Sequence, residues 1–308
     1  MNFKKPKFWD DQKLSFWSIL LFPFSIIYFA ITVIRRSISV LKRSKKIPIP
    51  IICVGNIFIG GTGKTPLSRE IFLIINSLGK KPAFIKKEYN YLSDEIKMLA
   101  ETGKTFVSKN RLNSILLSAN NNYDVAILDD GFQDLSIKPN FSILCFNSKQ
   151  LIGNGFIIPS GPLRESFKSI KRADCIIING DKNLEFENKI KKINKNVKIF
   201  YSKYKIKNLQ NFKNKEVVAF AGIGNPSNFF QLLKENNINV KKTYSFPDHH
   251  NYSQNDFEKF IGDKYFKIVT TEKDYFRMNK ELKLICECVK VDLEIENKNK
   301  FINLFLFS

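Results

Sequence analysis

The chain of 308 residues has few of the residue types that build disulfide scaffolds and zinc sites. It contains five cysteines and two histidines, and the cysteines lie mostly inside apolar, strand-like runs. Cys286 and Cys288 form a C-x-C pair, but no second pair stands at ligand spacing, so core packing is favoured over metal binding. This use of cysteine excludes a disulfide-rich secreted protein and is typical of a reducing compartment.

Acidic residues are scarce relative to basic ones. Lys and Arg number 50 and Asp and Glu number 29, which gives a net charge of +21. This charge favours an anionic partner, either nucleic acid, an anionic membrane surface or a phosphorylated substrate, although a biased genome composition also produces Lys-, Asn- and Ile-rich chains. The basic residues are dispersed and no nucleic-acid module is recognisable, so we expect no nucleic-acid partner.

A glycine-rich stretch lies between an apolar run and a predicted helix. Residues 49–54 predict a buried parallel strand, and residues 64–75 predict a helix. Glycines between them let backbone N–H groups converge on phosphate oxygens, to which the helix N-terminus adds its positive dipole end. The sequence therefore predicts a nucleotide-binding loop made of Gly60, Gly61, Thr62, Gly63, Lys64 and Thr65.

This loop departs from the commonest G-x-x-x-x-G-K-[ST] pattern, because Phe58 stands where the first glycine would be. The variant G-G-x-G-K-T remains. In such a loop Lys64 reaches the β- and γ-phosphates of ATP and Thr65 holds Mg²⁺. A plain tight turn is the alternative, but it does not need Lys-Thr directly after its last glycine. We expect ATP and Mg²⁺ as cofactors.

Two acidic pairs follow predicted strands of the same sheet. Asp94 and Glu95 begin a predicted helix, where capping is the ordinary alternative role. Asp129 and Asp130 end an apolar strand, which is where a P-loop kinase or hydrolase places its Mg²⁺-directed aspartate. The pattern does not decide between Asp129 and Asp130.

Further alternation of strands and helices predicts an α/β fold. We expect a P-loop NTPase-type parallel sheet core, an N-terminal membrane-associated helix and a second, smaller α/β domain. The lysine- and asparagine-rich residues 194–215 are predicted to form a solvated connection. The predicted boundaries are 1–46 for the N-terminal segment, 47–205 for the kinase domain and 206–308 for the smaller domain.

The two histidines are adjacent, at His249 and His250, and Asp248 precedes them in a turn-forming segment. A surface or structural role is the usual one for a histidine. Two histidines beside an aspartate also suit acid–base chemistry, so both interpretations stay open on this pattern alone.

Residues 15–34 form an uncharged run about long enough to cross a bilayer, interrupted by Pro23. The segment lacks a small-x-small cleavage site, which argues against a signal peptide. A spanning helix with the enzyme on the cytoplasmic side and a buried core helix are alternatives. We favour an interfacial helix held by aromatic and basic side chains. The basic residues on its two sides are Lys4, Lys5, Lys7, Arg35, Arg36, Lys42, Arg43, Lys45 and Lys46.

Several motifs occur in the order seen in the tetraacyldisaccharide 4′-kinases, the lipid A 4′-kinases, and the chain resembles this family over nearly its whole length. The motifs are G-G-T-G-K-T-P at 60–66, D-E at 94–95, D-D-G-F-Q at 129–133, G-N-G at 153–155, P-L-R-E at 162–165, F-P-D-H-H-N-Y at 246–252 and T-E-K-D at 271–274.

The resemblance implies an activity and a place in the cell. It implies transfer of the ATP γ-phosphate to the 4′-hydroxyl of a tetraacylated glucosamine disaccharide 1-phosphate, on the cytoplasmic face of the bacterial inner membrane. It also implies a P-loop kinase core joined to a smaller α/β domain, with the lipid headgroup bound between them. We expect a monomer whose partners are this lipid A precursor and the anionic inner-membrane surface.

The resemblance also implies residue roles. Asp94 matches the aspartate that receives the sugar hydroxyl proton, and His249 matches the histidine that pairs with it. Lys64 would neutralise γ-phosphate charge as a third catalytic residue. The residues implied in Mg²⁺ binding are Thr65, Asp129 or Asp130, and Glu95, and those implied in substrate binding are Arg164 and Gln133.

The chain departs from the family pattern in two places. Residues 86–90 read K-K-E-Y-N where the family usually shows Ser-Arg-Gly-Tyr-Gly. Lys86 or Lys87 would replace the charge of the missing arginine but not its bidentate geometry. Phe132 and Asp134 stand for a more usual leucine and histidine. We expect the chemistry to survive both changes.

The motifs of two other nucleotide-dependent protein classes differ from those of this chain. A membrane-associated ATPase of the partitioning or septum-positioning type carries a lysine before the paired glycines, where this chain has Ile59. A GTPase requires Asn/Thr-Lys-x-Asp, and in Thr271-Glu272-Lys273-Asp274 the lysine stands one place late. The ATPase is kept as the alternative function.

Overall fold

The computed structural model describes residues 6–10, 15–41, 47–89, 93–261 and 266–306. These residues form two compact units. The P-loop unit comprises the described residues of Lys5–Glu88, Thr102–Lys203 and Glu294–Ser308, and the C-terminal unit those of Tyr89–Glu101 and Tyr204–Leu293. Two segments therefore group differently from the predicted boundaries: 89–101 belongs with the C-terminal unit, and 294–308 belongs with the P-loop unit.

The strands and helices alternate along most of the chain. The strands are β1 Ile51–Gly55, β2 Pro82–Lys87, β3 Thr105–Ser108, β4 Val125–Asp129, β5 Phe141–Asn147, β6 Cys175–Asn179, β7 Lys198–Ile206, β8 Glu216–Ala221, β9 Asn239–Ser245, β10 Lys267–Thr271, β11 Glu287–Val289 and β12 Val291–Ile295. The helices are α1 Phe16–Leu41, α2 Lys64–Ser77, α3 Ser93–Thr102, α4 Arg111–Asn120, α5 Leu184–Ile193, α6 Pro226–Glu235, α7 Gln254–Ile261, α8 Glu272–Arg277, α9 Lys280–Ile285 and α10 Lys298–Ile302.

The P-loop unit is built on an eight-stranded sheet with the order β12-β7-β6-β5-β1-β4-β2-β3. The pairing from β3 to β7 is parallel throughout. β1, β4 and β6 are buried along their whole length, because continuous apolar runs suit strands that helices cover on both faces. The predicted α/β class and parallel core are confirmed.

The C-terminal unit contains a smaller sheet with the order β11-β10-β8-β9, again with parallel pairing. Its central strand β8 contributes buried Val217, Ala219 and Ala221 to one apolar cluster and buried Phe220 to another. This alternation follows from the two-residue period of a strand, which sends successive side chains to opposite faces.

The prediction of a solvated connection over residues 194–215 is wrong. The segment contains β7, which pairs with β6 from Cys175↔Lys198 to Asn179↔Ser202. Lys198 and Lys203 are exposed while Tyr201 and Ile206 are buried. This strand lies near the edge of the sheet, so its solvent-facing positions carry lysines. These lysines make the segment polar in composition, although its other positions are apolar and buried.

Helix α1 continues through Pro23 and is longer than the predicted run. It is not a buried core helix, because only 11% of its most apolar stretch of 18 residues is buried within the protein. Its length and composition would allow it to cross a membrane. Of the basic residues that flank it, Lys4, Lys5, Lys42, Arg43, Lys45 and Lys46 lie outside the described residues.

The contacts of α1 with the P-loop unit are mostly polar. Ser18 and Ser25, two helical turns apart, are its buried residues. Ser25 Oγ donates to Ile157 O at 2.7 Å, and Ser18 Oγ accepts from Asn154 Nδ2 at 3.1 Å. The helix therefore docks by small polar residues and leaves large apolar side chains on its other faces. These include Phe16, Trp17, Ile19, Leu20, Phe24, Ile26, Ile27, Ile31 and Ile34, each more than half exposed.

All five cysteines are buried and free. Burial raises the pKa of the Cys53 and Cys286 thiols to about 12, so both stay protonated at neutral pH. Cys286 Sγ lies 3.5 Å from Met278 Sδ inside an apolar cluster. The prediction that these cysteines pack in the core is confirmed.

Candidate active site

The glycine-rich loop joins β1 to α2 as the sequence predicts. Gly60 has φ of 120° and Gly63 has φ of 90°, a region that favours glycine. Gly63 caps α2, so Lys64 and Thr65 open the helix where its free backbone N–H groups point outward. The buried side chain of Asn56 donates to Thr62 Oγ1 at 2.8 Å and braces the loop. Asn56 was not singled out from the sequence.

Asp129 ends β4 directly beside the loop. Strand β4 pairs with β1, and Val54 and Asp129 are register partners. Thr65 Oγ1 donates to Asp129 Oδ2 at 3.3 Å, and Ser68 Oγ donates to Asp129 Oδ1 at 3.0 Å. The structure thus joins the predicted Mg²⁺-holding hydroxyl to one of the two candidate carboxylates.

Lys86 is the second partner of Asp129. It lies in β2, which also pairs with β4, and its Nζ is 2.5 Å from Asp129 Oδ2. Lys86 is 1% exposed and Asp129 is fully buried. Lys86 was predicted to replace the charge of the arginine that the family usually shows in this segment. In the structure it is the counter-ion of Asp129, a candidate metal ligand.

Asp130 makes different contacts from its neighbour. It has φ of 57°, and its carboxylate accepts from Arg164 Nη1 at 3.2 Å and Nη2 at 2.8 Å. Burial alone would raise the pKa of Asp130, but the charges of Arg164 and Lys64 outweigh it and hold the pKa far below its usual range. Asp130 is therefore an anion that neutralises Arg164.

Arg164 and Gln133 converge on one backbone carbonyl. Arg164 Nη2 donates to Asn56 O at 2.9 Å, and Gln133 Nε2 donates to the same oxygen at 2.8 Å. Both predicted substrate-binding residues thus lie at the end of β1 beside the glycine-rich loop. Arg111, which the sequence did not indicate, donates to Asp130 O at 2.8 Å.

The residues of the P-loop unit fit the chemistry of Mg²⁺. Oxygen ligands from one hydroxyl and one or two carboxylates, completed by phosphate oxygens and water, are the usual donor set of this ion with nucleotides. Thr65 and Asp129 supply such oxygens side by side. Within the described residues no three His, Cys, Asp or Glu side chains form a metal-holding group.

Glu95, the other predicted ligand, belongs to the C-terminal unit. Its carboxylate lies 3.4 Å from Lys273 Nζ, and that ammonium is also 3.7 Å from Asp248. Lys273 is the lysine of the T-E-K-D motif, so the motif supplies a cation here. The role of Glu95 in binding Mg²⁺ stays a prediction.

Asp94 is buried at the start of α3 and is held by Arg277. Arg277 Nε and Nη2 both contact Asp94 Oδ2, at 2.8 and 2.7 Å. Asp94 Oδ1 accepts from Glu95 N at 2.9 Å, so both oxygens are engaged. His249 Nδ1 lies 4.0 Å from Asp94 Oδ2 and 3.4 Å from Arg277 Nη2. The predicted Asp94 and His249 pair is brought together, with the guanidinium beside both.

Arg277 is fixed by a buried network of its own unit. Its Nη1 donates to Gly222 O at 2.7 Å and to Asp274 Oδ1 at 3.1 Å. The fully buried Asp274 also accepts from Tyr252 Oη at 2.9 Å and Thr271 Oγ1 at 2.7 Å. Sequence reasoning missed Arg277. The available signal was its place in the last turn of α8, three residues after the T-E-K-D aspartate.

The two histidines have separate surroundings. His250 stacks on Phe246 with ring centroids 4.7 Å apart, and its Nε2 lies 3.1 Å from Asp256 Oδ2. His249 has φ of 60° and lies beside Asp94. Burial and the nearby charges of Lys273 and Arg277 lower the pKa of His249 below its usual value, so its imidazole is neutral at pH 7. The stacking of His250 on Phe246 and its contact with Asp256 indicate a structural role for this second histidine.

The parallel sheet, the loop between β1 and α2, and the Thr65–Asp129 contact at the end of β4 define a P-loop nucleotide-binding protein. Comparison with known proteins identifies the family. A family model described as Tetraacyldisaccharide-1-P 4′-kinase matches residues 17–93 and 86–306. The chain therefore belongs to the tetraacyldisaccharide 4′-kinase family.

Individual relatives agree with this assignment. The chain is 41% identical to a tetraacyldisaccharide 4′-kinase of Pelagibacter ubique, over 98% of this chain and 97% of the relative. It is 33% identical to the Rickettsia canadensis tetraacyldisaccharide 4′-kinase, over 96% and 94% of the two chains. A crystal structure of Aquifex aeolicus LpxK in complex with ATP matches 93% of this chain and 98% of its own, with 25% identity and a TM-score of 0.71. The chain is a kinase, and the alternative of a membrane-associated ATPase is not favoured.

Proposed function

We propose that this kinase transfers the γ-phosphate of ATP to the 4′-hydroxyl of a tetraacylated glucosamine disaccharide 1-phosphate, a late step of lipid A biosynthesis. The single observation that carries the phosphate-transfer part is the contact of Thr65 with Asp129 at the glycine-rich loop. Family membership supports the acceptor. In the bond change, the 4′-oxygen attacks the γ-phosphorus, the bond from phosphorus to the β,γ-bridging oxygen breaks, and ADP leaves.

The proton of the 4′-hydroxyl goes to Asp94 in this proposal. Arg277 orients this carboxylate by donating two hydrogen bonds, from Nε and Nη2, to Asp94 Oδ2. Neutral His249, 4.0 Å away, is placed to share the proton once the alkoxide forms. General bases of this kind contribute about 10²–10⁴-fold in rate. Asp94 and His249 thus act as the base pair, and Arg277 as a positioning residue.

The P-loop unit supplies the electrostatic part of the reaction. Backbone N–H groups of the loop and the Lys64 ammonium would bind the β- and γ-phosphates. Thr65 and Asp129 would hold Mg²⁺, which when bound neutralises developing phosphate charge. Arg164 would contact the transferring phosphate or the substrate through its planar fork.

The proposed location is the cytoplasmic face of the bacterial inner membrane, where α1 lies in the interface. The exposed large apolar side chains of α1 support this proposal, since water does not favour so wide an apolar surface. The net charge of +21 supports a preference for anionic lipid. An interfacial helix also brings the unit close to a substrate whose acyl chains remain in the bilayer.

The test is transfer of label from γ-labelled ATP to tetraacyl disaccharide 1-phosphate in detergent micelles. The unaltered protein should form labelled lipid, and Lys64→Ala should form almost none. Release of labelled inorganic phosphate on bare anionic vesicles, with no labelled lipid, would contradict the kinase proposal and favour the ATPase. Ser169→Ala, a substitution on the 3₁₀-helix at residues 167–172, serves as a control that should transfer normally.

A further inference from the structure

The ion pair of Lys86 and Asp129 carries an inference about how the metal-binding part of the site works. The Lys86 Nζ contacts Asp129 Oδ2, the same oxygen that accepts from Thr65. A divalent cation held by Thr65 and Asp129 would draw on the same carboxylate. The Lys86 ammonium and that cation would therefore compete for the negative charge of Asp129.

The burial of the pair makes this competition strong. Lys86 is 1% exposed and Asp129 is fully buried, so neither charge is screened by solvent. A buried charge that loses its partner is costly, and opposite charges attract more strongly in a low-dielectric surrounding. Without a divalent cation, the Asp129 carboxylate depends on the Lys86 ammonium for charge compensation.

The sheet fixes the position of Lys86. Its strand β2 pairs in parallel with β4, whose last residue is Asp129. Both residues therefore stand at the same carboxyl edge of the sheet, next to the loop that ends at Lys64. Lys64 and Lys86 both lie close enough to Asp130 for their charges to act on its carboxylate. Two ammonium groups are therefore present at this edge of the sheet.

We propose that Lys86 is a positioning residue of the phosphate-transfer site. Its ammonium binds the Asp129 carboxylate when no divalent cation is bound there, and it thereby sets the Mg²⁺ concentration that the site requires. The inference rests on the proposed use of Mg²⁺ and ATP. It does not depend on the identity of the phosphate acceptor.

The expected consequence appears in metal-dependent ATP binding. In Lys86→Met the competing charge is absent, so Asp129 should take up Mg²⁺ more readily. The Mg²⁺ concentration that gives half of the maximal ATP affinity should fall by at least about tenfold. The melting temperature of this variant in EDTA should fall by several degrees and recover when Mg²⁺ is added.

The experiment is isothermal titration calorimetry of ATP across a range of Mg²⁺ concentrations, with melting curves in EDTA and in Mg²⁺. The matched control is Lys87→Met, a neighbouring lysine of β2 whose side chain leaves the opposite face of the strand. This control should keep the Mg²⁺ dependence of the unaltered protein. Both readouts work without a lipid substrate, so a failure of the kinase proposal would leave them unchanged.

Two outcomes would overturn the inference. One is a Lys86→Met protein with the Mg²⁺ dependence of the unaltered chain. The other is destabilisation that is equal in EDTA and in Mg²⁺, which would indicate a packing role only. If Lys86→Met does not fold, the double variant with Asp129→Asn decides. Its recovery would show that the unpaired carboxylate unfolded the chain, and its failure to fold would contradict the proposal.

Discussion

At the scale of single residues, each proposed functional carboxylate is held by a buried or half-buried cation. Asp94 is bound by Arg277, Asp129 by Lys86 and Asp130 by Arg164. Such partners fix the direction of a carboxylate through charge-assisted hydrogen bonds. The motifs indicated the carboxylates, and the cations that orient two of them became visible only in the fold.

The role of Asp94 can be separated from that of the phosphate-binding loop. We expect Asp94→Asn to lower kcat by about 10²–10⁴-fold, because it removes proton transfer in the transition state. The ATP dissociation constant should stay unchanged, whereas Lys64→Ala should weaken ATP binding as well. Rapid-quench kinetics and calorimetry on both variants test this expectation. Normal turnover in Asp94→Asn would exclude it as the base.

The pH profile of kcat/KM tests the surroundings of His249. Its lowered pKa means that the imidazole is neutral above that pKa, so activity should persist as pH falls to 6.5 and decline only below it. The Arg277 charge is one cause of the lowering. Arg277→Met should therefore move the acid limb to higher pH, besides reducing kcat.

A variant profile with an unmoved acid limb would show that Arg277 does not act on the titrating group. Arg277→Lys keeps the positive charge and serves as the control. It should leave the limb close to its original position while losing part of the rate, because an ammonium cannot reproduce the guanidinium fork.

The identity of the orienting residues could not be predicted from the sequence. Arg277 lies 183 positions from Asp94, and nothing in the T-E-K-D motif indicates that its helix ends in an arginine directed at α3. Lys86 was noticed only as a departure from a pattern. The predicted members of the site, by contrast, follow strand ends or a glycine-rich loop, which are local signals.

At the scale of elements, α1 differs from the amphipathic helices of a water-soluble core. Its buried residues are Ser18 and Ser25, and its exposed faces are aromatic and aliphatic. Arg36 near its C-terminal end pairs with the fully buried Glu165 carboxylate at 3.1 Å. Polar contacts thus attach α1 to the P-loop unit and leave its large apolar side chains exposed.

The proposed membrane role of α1 can be tested without disturbing its attachment. The double variant Phe24→Ser and Ile27→Ser alters side chains that are 59% and 57% exposed. Each apolar side chain buried in lipid contributes about 1.5–3 kcal/mol, so vesicle binding should weaken by at least about tenfold while the melting temperature changes little. Vesicle flotation measures the bound fraction.

The matched control for this experiment replaces exposed leucines elsewhere, Leu117→Ser and Leu184→Ser, which lie on α4 and α5. It should bind vesicles like the unaltered protein. Equal binding of the α1 variant and this control would contradict the membrane role of the helix.

Elements with a strong apolar signal were predicted well. The strands β1 and β4 and the start of α2 follow continuous apolar runs and the glycine-rich loop. Strand β7 was missed because its lysines suggest a solvated segment, although its pairing with β6 is set by residues distant in sequence. Pro23 suggested an interruption, yet α1 continues through it.

At the scale of the whole molecule, the net charge of +21 should govern the preference among membranes. Attraction to anionic lipid contributes about 1 kcal/mol for each basic residue near the surface and is screened by salt. We expect stronger binding to anionic than to zwitterionic vesicles at low salt, and a difference that shrinks as salt rises. Flotation across a salt series measures it. Equal binding to both lipids at low salt would exclude the charge as a determinant.

The central claim for the whole molecule is that one phosphate group passes from ATP to the 4′-oxygen of the lipid. The most direct measurement is two-dimensional ³¹P–¹H correlation spectroscopy of the lipid after incubation with the protein, ATP and Mg²⁺. We predict a new phosphate monoester coupled to the proton at sugar position 4′, absent with Asp94→Asn. ATP consumption that yields only inorganic phosphate, or a phosphate coupled to any other sugar proton, would contradict the account.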